Sequence, residues 1–136
     1  MTPRNLSLAV LSGLLLAASF PAFALHSLSW VSLIPLFHAL RFQGARNGLL
    51  LGGVTGIVFF VSTVHWVTNS VHYYGGIPLV PASLITLLLC MVLALFFAAF
   101  GGGMVRLRQR HPLLLFLSAP ALWTALELAR TYVFSG

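Results

Sequence analysis

The sequence contains no lysine and no aspartate, and Glu127 is its only acidic residue. Charged residues make up 6% of the chain, whereas about 25% is usual in soluble domains. Hydrophobic residues make up 60%, so the chain has too little polar surface for an ordinary soluble globule, and we infer a membrane protein. The single cysteine, Cys90, excludes a disulfide within the chain and a cysteine metal site. We predict no metal and no cofactor.

Long apolar runs predict an all-α fold, a polytopic bundle of about five transmembrane helices that forms one domain over residues 1–136. The predicted spans are residues 6–25, 25–40, 48–67, 81–100 and 112–134. Pro35 is expected to kink the second span, Gly101–Gly103 to end the fourth, and Pro120 to interrupt the fifth. The first run also fits a secretory signal with a cleavage site at Ala22–Ala24. We favour an uncleaved span, because another apolar run follows at once.

The arginines are distributed unequally between the two sides of this predicted bundle. Loops that contain arginine alternate with uncharged loops along the predicted bundle. Six arginines therefore lie on one side, namely Arg4, Arg41, Arg46, Arg106, Arg108 and Arg110. Loops rich in positive charge generally remain on the cytoplasmic side of a membrane. The N-terminus is therefore predicted to be cytoplasmic and the loop around Tyr74 to lie outside. Because the arginines are spread over short loops rather than gathered on a binding face, we predict no nucleic-acid partner.

The third apolar run combines a packing surface with a polar exit. Gly48, Gly52 and Gly56 recur at every fourth position, a spacing typical of close helix contacts in lipid. Trp66, Tyr73 and Tyr74 follow near the end of the run and fit either an aromatic belt at the headgroups or contact with a lipid-like substrate.

Glu127 and Arg130 lie one helical turn apart in the last run. They are interpreted either as a paired couple near the outer interface or as groups that face a substrate cavity. A membrane acid also suggests an alternative function, a small multi-span transporter that uses Glu127 as a coupled ion site.

Several segments together resemble one known family. In chain order they are FPAF, SWVSLIPL, the glycine-rich run ending in HWV, YYGGIP, and APALWTALELARTYVFSG at residues 119–136. In order and spacing they resemble the amino-terminal membrane region of apolipoprotein N-acyltransferases. The resemblance implies a bacterial inner-membrane enzyme of lipoprotein maturation. Its partners would be a phospholipid acyl donor and an apolipoprotein, whose diacylglyceryl-cysteine receives the acyl chain on its α-amino group.

The family's chemistry is implied to reside in a nitrilase-like domain with a Glu-Lys-Cys triad and a cysteine thioester. This chain has no lysine, so no catalytic residue is expected in it, and we interpret it as an amino-terminal fragment that is inactive by itself. The remaining candidates are substrate-facing or lipid-facing residues in the resembling segments. They are Trp66, Tyr74, Gly75, Gly76, Pro78, Trp123, Glu127 and Arg130.

Overall fold

A computed structural model describes residues 2–19, 26–110 and 115–135 and contains helices and turns in these ranges, with no strand. The predicted all-α class is therefore confirmed for the described residues. The α-helices are α1 (Pro3–Ala18), α2 (Ile34–Leu40), α3 (Ala45–Val64), α4 (Trp66–Tyr73), α5 (Leu79–Arg110) and α6 (Leu115–Ser135). A short 3-10 helix, His26–Trp30, precedes α2. In the described ranges, α3 and α5 are long and apolar enough to cross a bilayer. The number of five spans stays a prediction.

The first two predicted spans are shorter as helices than the apolar runs suggested. The Thr2 hydroxyl caps α1 by accepting the Asn5 N–H, and the helix ends at Ala18. Part of the predicted first span, including the Ala22–Ala24 cleavage site, lies outside the described residues. Pro35 does not kink the second span; it occupies the first turn of α2, where its missing N–H costs no helical hydrogen bond.

The expected helix end at Gly101–Gly103 is wrong, because α5 continues through these glycines to Arg110, whereas the limits of the fourth span stay a prediction. Their low helix propensity is outweighed by packing, since Gly101 lies against Gly48 of α3 and Gly103 against the side chain of Leu122 of α6. Arg106 and Arg108 are consequently helical residues rather than loop residues. Pro120 likewise lies inside α6 and does not end it.

The α3–α5 pair forms the centre of the bundle. A Cβ atom built on Gly48 would lie 2.7 Å from the carbonyl oxygen of Gly101, and one on Gly56 would lie 2.7 Å from Cβ of Phe97. Gly52, between them, faces the backbone of Phe97 and Ala98. The helices therefore run antiparallel at a separation that only small residues permit.

Two buried hydroxyl groups tie the neighbouring helices to this pair. The Thr55 hydroxyl on α3 donates to the carbonyl oxygen of Ala9 on α1 at 3.0 Å, and Thr55 is fully buried. The Ser12 hydroxyl on α1 donates to the carbonyl oxygen of Ser32 at 2.5 Å. The Thr55 hydroxyl also lies 3.1 Å from the carbonyl oxygen of Leu51 in its own helix, so both buried hydroxyl groups have hydrogen-bond partners.

The contacts also fix helix directions. Thr55 meets Ala9 while Gly13 meets Val58, so α1 and α3 run parallel. The Arg108 guanidinium of α5 reaches the carbonyl oxygen of Leu40, so the carboxyl ends of α2 and α5 meet where α3 begins. We call this the arginine end of the bundle, since it holds Arg4, Arg41, Arg46, Arg106 and Arg108.

Candidate functional site

A cavity of about 420 Å³ opens between the end of α3, the start of α4, α5 and α6, away from the arginine end. We call it the α3–α6 cavity. It is lined by Phe59, Phe60, Thr63, Val64, Trp66, Phe96, Phe97, Trp123, Leu126, Glu127 and Arg130. Four of the residues singled out from the sequence, Trp66, Trp123, Glu127 and Arg130, thus come together in the lining of one cavity.

The inner part of the cavity is a set of interlocking aromatic rings. The Trp123 indole meets the Phe97 ring edge-on, with centroids 5.0 Å apart, and the Phe100 ring at 5.3 Å. Phe60 in turn meets Phe97 edge-on at 5.7 Å. Edge-to-face contacts of this kind hold each ring in one orientation, so this wall is apolar and preformed.

The outer rim of the cavity is polar. Arg130 forms a hydrogen-bonded ion pair with the Glu127 carboxylate one turn earlier on α6. The Glu127 side chain is 46% exposed and that of Arg130 34%, so both remain accessible from the cavity mouth. Trp66, at the first position of α4, is 59% exposed and lines the same cavity. The pair offers N–H donors for an anion and carboxylate oxygens for a cation.

A regular helix does not pass straight from α3 into α4. The His65 carbonyl accepts the Thr68 N–H at 3.1 Å in a tighter turn, and Trp66 is the second residue of that turn. The hydroxyl of Thr68 then donates to that of Thr86 at 2.9 Å, which attaches α4 to α5. This local arrangement sets Trp66 at the cavity mouth.

The remaining candidates, Tyr74, Gly75, Gly76 and Pro78, belong to the turn after α4 and do not line the α3–α6 cavity. Tyr74 is 92% exposed, and Gly76 has a φ of +64°, a left-handed conformation that favours glycine. Nδ1 of His72 lies 2.7 Å from the carbonyl oxygen of Ile77, which closes the turn. The predicted set is therefore divided between a cavity wall and an exposed turn.

A second cavity, also of about 420 Å³, lies on the other side of Trp123. It is lined by Leu16, Leu33, Phe37, Phe100, Ala119, Pro120, Trp123 and Thr124. Trp123 is therefore a shared wall between two apolar spaces.

Sequence reasoning missed the phenylalanines of the α3–α6 cavity. Phe59 and Phe60 follow Gly56 by three and four positions, a spacing that places them on the same helix face as the glycines. That signal was available in the sequence. The position of Phe97 was not, because it depends on the register between α3 and α5.

The fold and the cavity define a helical-bundle domain with an amphipathic cavity, two of whose helices are long and apolar enough to cross a membrane. Residues 12–136 match the family model described as the apolipoprotein N-acyltransferase N-terminal domain. The chain belongs to the apolipoprotein N-acyltransferase family.

Curated relatives carry the same family name. The chain is 34% identical over 133 residues to the apolipoprotein N-acyltransferase of Geobacter metallireducens, covering 98% of this chain and 25% of that protein. It is 35% identical over 136 residues to the one of Azotobacter vinelandii, covering 98% and 26%. With that of Photobacterium profundum it shares 30% over 133 residues, covering 97% and 26%. The chain spans about a quarter of the length of these relatives.

Proposed function

We propose that residues 1–136 form a single transmembrane domain of an apolipoprotein N-acyltransferase in the bacterial inner membrane. The complete enzyme would transfer an acyl chain from a phospholipid to the α-amino group of the diacylglyceryl-cysteine of an apolipoprotein. Family membership supports this reaction class. The Glu-Lys-Cys triad implied by the family resemblance needs a lysine, and this chain contains none. We therefore assign no catalytic residue to the chain and propose that it binds the lipid substrates.

Exposed apolar side chains support the membrane placement. Leu84, Leu88 and Leu95 recur on the face of α5 that turns away from α3, and each is at least 60% exposed. A continuous apolar surface of this kind is costly in water and favourable in lipid. We propose that the bundle crosses the membrane about five times, with the arginine end and the N-terminus in the cytoplasm.

The observation that carries the substrate proposal is the division of the α3–α6 cavity into an aromatic interior and a rim with an ion pair. A lipid has the same division, an acyl chain joined to a charged headgroup. Exposing acyl chains to water costs about 0.8 kcal/mol per CH₂, so a site for them should be apolar and open to the bilayer. The headgroup would then meet Glu127 and Arg130, and the second cavity beyond Trp123 offers space for another acyl chain.

The test is a chimera in which these residues replace the matching region of the Geobacter metallireducens relative. Acyl transfer from phospholipid to a diacylglyceryl peptide would be measured in membranes. We expect Glu127→Gln and Trp66→Ala each to lower the rate severalfold at an unchanged protein level. The matched controls are Leu128→Ala, an exposed neighbour of Glu127 that does not line the cavity, and Tyr73→Ala, an exposed aromatic outside it.

Unchanged acyl transfer in both cavity variants, with normal protein levels, would contradict the substrate role. The transporter alternative rests on Glu127 as a coupled ion site. In the structure this carboxylate is paired with Arg130 of its own helix, and family membership favours the acyltransferase.

A further inference from the structure

A third cavity, of about 460 Å³, lies at the arginine end, between α2 and α5 and far from the α3–α6 cavity. Its wall is apolar and includes Phe37, Met104 and Val105, whereas His38, Arg41 and Arg108 supply its polar part. A space of this size lies within the range of small-molecule sites, roughly 300–1,000 Å³. We call it the α2–α5 groove.

The two arginines are held at this groove in different ways. The half-buried Arg108 guanidinium donates from Nη1 to the carbonyl oxygen of Leu40 at 2.9 Å, which ties it to the end of α2. This hydrogen bond uses one N–H of a group that has several. Arg41 follows Leu40, and its guanidinium carbon lies 5.4 Å from the centre of the Phe42 ring. Both arginines line the groove, and both lie near the end of α2.

Among the described residues, no carboxylate balances these charges. The only acidic residue, Glu127, is paired with Arg130 at the opposite end of the bundle. A bound anion would complement the charges of Arg41 and Arg108. Two guanidinium groups beside an apolar wall match a phosphate joined to an acyl chain, and an arginine can bind a phosphate with two parallel hydrogen bonds.

We propose that the α2–α5 groove binds an anionic phospholipid of the cytoplasmic leaflet. The phosphate lies between Arg41 and Arg108, and one acyl chain follows the wall formed by Phe37 and Met104. A zwitterionic lipid fits less well, because its ammonium group would approach two guanidinium groups that no carboxylate neutralises. The inference uses the membrane orientation of the proposed function but does not depend on acyl transfer.

The test is lipid binding by the 136-residue chain in detergent, followed by native mass spectrometry during titration with dioleoyl phosphatidylglycerol or dioleoyl phosphatidylcholine. The unchanged chain should bind phosphatidylglycerol more tightly. In the double variant Arg41→Gln/Arg108→Gln, the apparent Kd for phosphatidylglycerol should rise roughly 30-fold, with little change for phosphatidylcholine.

The control is Arg46→Gln/Arg106→Gln, which removes the same charge from exposed arginines at the same end but outside the groove. It should retain the preference for phosphatidylglycerol. If both double variants lost the same affinity for phosphatidylglycerol, the lipid would be attracted by the general positive charge of this end, and the proposal would be overturned. Equal affinity for the two lipids, or full competition by glycerol phosphate without acyl chains, would overturn it as well.

Because Arg108→Gln also removes the hydrogen bond to Leu40, two further variants separate an effect on lipid binding from an effect on the fold. Arg108→Lys keeps the charge and should keep the preference, and Arg41→Gln leaves that hydrogen bond intact and should weaken binding about fivefold. If Arg41→Gln binds phosphatidylglycerol normally, the proposal fails. Acyl transfer by the chimera does not enter this measurement, so a failure of the substrate proposal would be recognised separately.

Discussion

Gly48 of α3 and Gly101 of α5 face each other so closely that a Cβ atom on Gly48 would lie 2.7 Å from the carbonyl oxygen of Gly101. The atom in the way belongs to the backbone of a helix, which cannot turn aside as a side chain can. This pair therefore fixes both the separation and the register of the two central helices.

Replacing Gly48 by alanine should destabilise the bundle by about 1–3 kcal/mol, because the added methyl group forces the helices apart. The measurement is the free energy of unfolding in mixed micelles, followed by circular dichroism. Gly53→Ala is the control: its Cβ would lie 3.6 Å from that of Ala98, an ordinary contact. That variant should be neutral or slightly more stable, and equal losses in both would argue against the described interface.

Thr55→Val should cost about 1 kcal/mol, since it removes the hydroxyl that donates to Ala9 while preserving side-chain shape. The same unfolding measurement applies. Ser62→Ala serves for comparison, because the Ser62 hydroxyl is exposed and bonds only within its own helix, to the carbonyl oxygen of Val58. Should the two substitutions have the same effect, the link between α1 and α3 would contribute nothing to stability.

Gly76→Ala should destabilise the turn after α4 by about 1–2 kcal/mol, because a φ of +64° is unfavourable for residues with a Cβ atom. The strain is purely conformational, since no atom lies within 4 Å of a Cβ at this position. Asparagine tolerates the left-handed region, so Gly76→Asn should recover most of the loss. Local hydrogen exchange of the turn amides would measure this, and an asparagine variant as mobile as the alanine variant would disagree with the described turn.

Cysteine labelling should reveal the orientation. Cys90 is only 1% exposed, so the native chain gives little background. In intact spheroplasts a membrane-impermeant maleimide should modify Tyr74→Cys, whereas Gln109→Cys should react only after lysis. Both positions are exposed in the structure. The opposite pattern would invert the proposed topology.

The sequence was sufficient for features that depend on composition and on spacing along one helix. The helical class, the alternation of arginines and the glycine spacing in α3 all follow from such local patterns. Features that depend on a partner helix do not follow from such patterns. The triple glycine of α5 looked like a helix end because intrinsic propensity cannot anticipate that Gly101 fills the space beside Gly48.

The site was predictable in the same partial way. Glu127 and Arg130 were identified as a pair from their spacing within α6, and the structure contains that ion pair. Their neighbours Trp66 and Phe97 come from other helices, so the cavity depends on how α3, α5 and α6 align. Tyr74 and Gly75 were grouped with Trp66 because they are close in sequence, whereas the turn places them apart from the cavity.

The register between the central helices has one more consequence. Because Gly101 pairs with Gly48, the last six residues of α5, 105–110, extend about 9 Å past the first residue of α3. In the proposed orientation this overhang carries Arg106 and Arg108 beyond the lipid tails. Sliding the whole bundle outward by one helical turn would move these guanidinium groups towards the hydrocarbon, where the cost of an arginine rises with depth. In that orientation we expect the extension to limit how far the protein can shift outward across the bilayer.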